Sequence, residues 1–247
     1  MKLSRWQIEA AVALVLLSVL VYAVHYAIFR DAHHIFMFML HELAFVPIEV
    51  LVVTLIIHRV LHHREKLAML GKLNMVVGAF FSEVGTGLIR HFRDLDPKAG
   101  ELAGQIKVTA RTTDAELRRL ACLFQGYDGE PNVGRADLNV LREYLTSRRT
   151  FLLGLLENPN LLEHEEFTDL LWAVFHLTEE LVNRRDVNHL TETDAAHLQG
   201  DIRRAYGRLI VQWLAYMRHL RSDYPYLFSL AVRTNPFDPA ASVEVTQ

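Results

Sequence analysis

Residues 6–29 read WQIEAAVALVLLSVLVYAVHYAIF, and residues 35–58 read IFMFMLHELAFVPIEVLVVTLIIH. The first run carries one formal charge, Glu9, and the second carries two, Glu42 and Glu49. A helix of about 20 apolar residues spans a hydrocarbon core of roughly 30 Å, and both runs reach that length. They predict two transmembrane helices, and the reading of the remaining chain follows from where they place the bilayer. The first run is longer than the ~7–15 apolar residues of a signal peptide, and no small-residue cleavage pattern stands at its end before Arg30. It is expected to be retained.

Cationic residues near the helix ends set the orientation. Lys2 and Arg5 precede the first helix, and Arg59, Arg64, Lys66 and Lys72 follow the second. The connection RDAHH, residues 30–34, holds one arginine against one aspartate. Both termini are therefore expected on the cytoplasmic side, and the short connection forces an antiparallel hairpin. The whole chain is 51% hydrophobic with a formal charge of -3, an average that conceals a charge-rich region after residue 66. That net charge, with arginine pairs scattered among acids, argues against a nucleic-acid surface. The lone Cys122 excludes an internal disulfide and reads as a small buried residue.

The charge-rich region has helical periodicity and no strand pattern. Gly71, Gly78 and Gly85 recur every seven residues on one helical face, where small residues permit close helix packing. The surrounding stretch 67–92 reads as a packing helix, with a third span as the alternative. Thr113-x-x-Glu116 fits a capping box, and Asp137 can cap a helix running to Glu157. Residues 163–185 form the clearest amphipathic helix, with Phe167, Leu170, Leu171, Val174, Leu177 and Leu181 on one face. The expected architecture is all-α: a transmembrane hairpin over 1–66, a cytosolic helical bundle over 67–232 and a flexible tail over 233–247.

Several polar groups are candidates for chemistry. Glu42 and Glu49 differ by only ~20° around a helix and lie ~10 Å apart along it. Charges at such depth usually face protein or water, so these carboxylates could line an oligomeric pore. His25, His34 and His41 could meet at one depth with Met37, as ligands for a metal or haem. Of these, His34, Met37 and His41 share a helical face. Arg59, His62, His63, Arg64 and Lys66 suit a lipid head-group anchor. Glu166, Asp169, His176 and Glu180 form a polar stripe on the amphipathic helix. A di-iron bundle would need Glu-x-x-His, which the chain lacks, so this stripe reads as a solvated face. No nucleotide-binding, hydrolase or zinc-protease motif is present.

Three stretches carry a family resemblance: KLNMVVGAFFSEVG at 72–85, ENPNLLEHEEFTDLLWAVFHL at 157–177 and YPYLFSLAVRTNPF at 224–237. They resemble an uncharacterised bacterial family of two-span inner-membrane proteins, to which no activity attaches. The resulting expectation is a non-enzymatic, oligomeric inner-membrane sensor or regulatory scaffold with a cytosolic protein partner. The alternatives are a cation or proton channel lined by Glu42 and Glu49, and a metal- or haem-binding membrane protein using His25, His34 and His41. The sequence names no cofactor.

Overall fold

The computed structural model describes residues 5–127, 129–135, 137–159, 161 and 164–244, with backbone alone at 65–70 and 72. Every regular element among the described residues is helical. Helix α1 spans Arg5–Phe29 and α2 spans Ala32–Phe80. The chain divides into two compact units, Met1–Lys66 and Leu67–Gln247.

In the first unit, the connection is shorter than the five residues expected. Arg30 takes a left-handed φ of 49°, and the Asp31 carboxylate accepts the His34 backbone N–H at 3.0 Å. An aspartate that satisfies a free first-turn donor starts a helix, so His33 and His34 already belong to α2. The helix continues through Pro47. Arg5–Phe29 and Ala32–Arg64 are both long and apolar enough to cross a membrane. Apart from the half-buried Ile35, their large apolar side chains stand open, from 42% exposed at Val46 to 68% at Trp6. A contiguous apolar surface of that kind is foreign to a soluble monomer.

The second unit has its own core. Leu73, Val77 and Phe80, from the distal end of α2, are buried there, so the stretch 67–92 serves the bundle rather than a third span. Phe80 meets Phe167 edge-on at 5.4 Å. The next five residues, Phe81–Gly85, widen into one π-helical turn before α3, Thr86–Leu95. Such a turn loosens the carbonyl ladder, and here two side chains answer it. Tyr144 Oη donates to the Val84 carbonyl (2.8 Å), and Arg148 Nε donates to that of Glu83 (2.6 Å).

Helices α4 (Ala99–Gln105) and α5 (Asp114–Leu123) follow. The Thr113–Glu116 capping box starts α5. Cys122 is exposed rather than buried, because α5 turns Leu117 inward instead. The single helix expected after Asp137 is two, α6 (Leu138–Thr146) and α7 (Arg149–Leu156). The break lets Arg148 lie 3.8 Å over the Tyr144 ring while it reaches Glu83.

Helix α8, Glu165–Asn183, buries its six predicted apolar residues completely. Helix α9, Glu192–Asp223, is the hub, packing against α3, α5, α8, the π-turn and α10 (Pro225–Arg233). Packed chain continues past Arg233, where the flexible tail was expected. Asn235 and Phe237 are buried, and the Phe237 ring lies 5.1 Å from that of Trp213.

A four-donor group between α8 and α9

Helices α8 and α9 run antiparallel, and one polar seam follows their shared edge. Gln212 donates to Glu166 (3.2 Å), and Arg208 lies 3.9 Å from Asp169. Toward the other end, His176 and Glu180 of α8 face His197 and Asp201 of α9. Each pair is spaced i,i+4, which puts both members on one face one turn apart. The four donor atoms, one per residue, all lie within 4.8 Å of one another. His176 Nε2 is 3.3 Å and His197 Nε2 3.4 Å from Asp201 Oδ2. Both imidazole nitrogens are 3.8 Å from Glu180 Oε1.

These separations resemble a coordination shell. Ligands about 2.0–2.1 Å from a tetrahedral ion stand roughly 3.4 Å apart. Asp201 is 2% exposed, yet its Oδ2 has no aligned hydrogen-bond donor. The two imidazoles are near that oxygen without pointing a proton at it, an arrangement suited to three donors aimed at a common point. Both histidines are about half-exposed, which leaves an entry path from solvent.

An outer layer holds the carboxylates in place. Each turns one oxygen inward and gives the other to an arginine. Arg184 Nη1 donates to Glu180 Oε2 (2.5 Å), and Arg204 Nη1 donates to Asp201 Oδ1 (2.9 Å). The Arg184 hydrogen bond holds the Glu180 carboxyl below the usual range, so it is ionised and ready to bind a cation. Arg184 also bridges to Asp194 at 2.7 Å, which fixes the guanidinium between the two helices. Supporting bonds of this kind orient metal ligands. Two imidazoles and two carboxylates, with no thiolate, match first-row divalent ions such as zinc, manganese, cobalt or iron(II).

The polar stripe of α8 is solvent-exposed at Glu166, Asp169 and His176, as expected, and it also has a partner. It forms one side of the α8–α9 seam. His197 and Asp201 escape a motif search because their significance depends on which helix faces them. The legible signal is the repeated spacing, His-x-x-x-Glu at 176–180 and His-x-x-x-Asp at 197–201.

The other candidate residues lie elsewhere. Glu42 and Glu49 are exposed on α2. The His25 ring lies 4.8 Å from Phe29 and the His34 ring 4.6 Å from Phe38, while Met37 and His41 stand exposed. Among the described residues, one group of three or more His, Cys, Asp or Glu donors converges, and it contains none of these. His58 and His62 stack at 6.4 Å beside the exposed Arg59, His63 and Arg64; the Lys66 side chain lies outside the described residues. Around Gly71 an added Cβ would meet nothing, at Gly78 it would touch the Tyr216 ring at 3.6 Å, and at Gly85 it would collide with Phe80 and Phe81.

Two family models cover most of the chain. The MJ1433 N-terminal helical domain matches residues 2–61, and the C-terminal helical domain of the uncharacterized protein MJ1433 matches residues 69–233. The chain is similar to the uncharacterized protein MJ1433 of Methanocaldococcus jannaschii, with 45% identity over 234 residues, covering 95% of this chain and 94% of the relative. No solved structure matches. The relative is archaeal, so the bacterial part of the expected resemblance has no support. With both of its helical domains matched in order, the chain belongs to the MJ1433 family.

Proposed function

We propose that the protein is a membrane-anchored, non-enzymatic sensor or regulatory scaffold whose stimulus is a first-row divalent metal ion. The observation that carries this reading is the group of His176, Glu180, His197 and Asp201, with its buried, unaligned carboxylate oxygen. Four protein donors fill a tetrahedral shell, which favours a binding or structural role over a catalytic one with an open position. Each helix supplies two donors, so the ion ties α8 to α9 and stabilises the hub of the second unit in proportion to its occupancy.

Helices α1 and α2 supply the anchor as a two-span hairpin in the plasma membrane. The cationic residues outside both spans put both termini in the cytoplasm. A homo-oligomer covers Glu42 and Glu49, and a cytosolic partner reads the metal state of the bundle. The test is cobalt(II) titration of the full-length protein in detergent, followed by visible absorption and elemental analysis. One ion per chain with His or carboxylate ligand bands is expected, lost in His176→Ala and His197→Ala. Wild-type protein that takes up no cobalt, zinc or manganese overturns the reading.

A further inference from the structure

The α8–α9 seam continues beyond the four donors. Arg204, already bonded to Asp201, and Arg208, near Asp169, line an open groove of about 640 Å3 whose opposite wall is the 125–127 loop. Glycines shape it. Gly126 turns the loop at φ 84°, and Gly207 lets the Tyr127 carbonyl come within 3.0 Å of where a Cβ would sit on α9. A Cβ on Gly200 would meet nothing, so the helix surface beside Asp201 is bare. Arg204 and Arg208 share the groove with two carboxylates, Glu166 and Asp169; Gln212 bonds the first, and Arg208 lies beside the second. The groove's volume lies in the roughly 300–1,000 Å3 range of small-molecule sites.

We propose that this groove binds the phosphate group of a small phosphate monoester, and that the metal raises its affinity through the Asp201–Arg204 pair. This inference rests on the metal-binding reading above. Without an ion, the Asp201 charge is balanced by Arg204. An ion bound to Oδ2 takes up that negative charge and leaves the half-exposed Arg204 guanidinium uncompensated at the groove. A guanidinium fork matches two phosphate oxygens, and Arg208 stands one turn further along the same edge. Linkage then requires the phosphate to tighten the metal by the same factor that the metal tightens the phosphate.

The test uses full-length protein in phosphatidylcholine nanodiscs, with glycerol 3-phosphate titrated calorimetrically in the absence and presence of cobalt(II). Cobalt is expected to tighten binding by about fivefold or more. Arg208→Gln should weaken it by about tenfold while leaving cobalt uptake unchanged. Asp201→Asn should remove the cobalt dependence. Phosphatidic acid in the disc that competes with the soluble ester identifies a lipid headgroup as the source of the phosphate; no competition identifies a soluble ester. Cobalt uptake with a glycerol 3-phosphate affinity indifferent to it overturns the inference and leaves the metal reading standing. Wild-type protein without cobalt uptake overturns both. Equal binding of succinate, or an Arg208→Gln protein that binds glycerol 3-phosphate normally, also overturns the phosphate assignment.

Discussion

Asp201→Asn separates a metal ligand from a structural carboxylate, because the two roles predict opposite results. In the metal-free protein, Glu180 Oε1 and Asp201 Oδ2 lie no more than 4.8 Å apart. Two charges at that distance repel by ~3.5 kcal/mol at an effective dielectric of ~20. Arg184 and Arg204 offset this from the outer side. Asparagine keeps the shape, removes the repulsion and weakens the Arg204 bond, so the metal-free variant should match wild type to within about 1 kcal/mol. With zinc at about 100 times its dissociation constant, wild type gains about 2.7 kcal/mol. For a unit of this size each kcal/mol moves the midpoint by ~2–4 °C, giving a rise of roughly 5–11 °C. The variant should lose most of that rise. Near-ultraviolet circular dichroism follows the buried Trp213 through the transition. An equal zinc-induced rise in both proteins would refute the reasoning, as would a metal-free variant melting far below wild type.

Other perturbations test the fold around this site. Thr113→Ala removes the side-chain half of the α5 capping box and should cost ~1 kcal/mol in denaturant unfolding; an unchanged midpoint would mean the cap contributes nothing. Tyr144→Phe removes the 2.8 Å donor to the π-turn carbonyl of Val84 and should cost about 1 kcal/mol, with hydrogen exchange rising locally around residues 84–89. His91, packed against the Tyr144 ring, has its pKa lowered from 6.5 chiefly by burial, against the pull of Asp94. Its contribution to stability is complete above pH ~6.5 and is lost as pH falls through the lower folded value. His91→Gln should flatten the stability–pH curve just below pH 6.5, and a curve of unchanged slope would exclude His91 as the source.

Local rules carried much of the fold. Thr113 and Asp137 are helix starts legible from residue type and spacing, and the α8 apolar face follows from periodicity alone. The failures are tertiary. Ser147 and Arg148 look helical in sequence, but Arg148 leaves α6 to reach the Glu83 carbonyl. Asn235 and Phe237 look like tail, but the Ile106 carbonyl and Trp213 receive them. The four-donor group failed for the same reason. His176 and Glu180 are visible as a pair, but their partners lie a turn and a helix away. Only the antiparallel register of α8 and α9 brings His197 and Asp201 opposite them.

The position of α9 as hub has a consequence for biosynthesis. The apolar helices emerge from the ribosome first, and Leu73, Val77 and Phe80 follow soon after. Phe167 on α8, which Phe80 meets, and the hub helix α9 are made much later. At ~5–20 residues per second the interval from α2 to the end of α9 is roughly 7–30 s. During that time the early half of the bundle presents phenylalanines and leucines with no lid. Helices α1 and α2, both long and apolar enough to cross a membrane, are complete before this wait begins. A chain truncated within α9 would be released with most of its core side chains made and nothing to close over them.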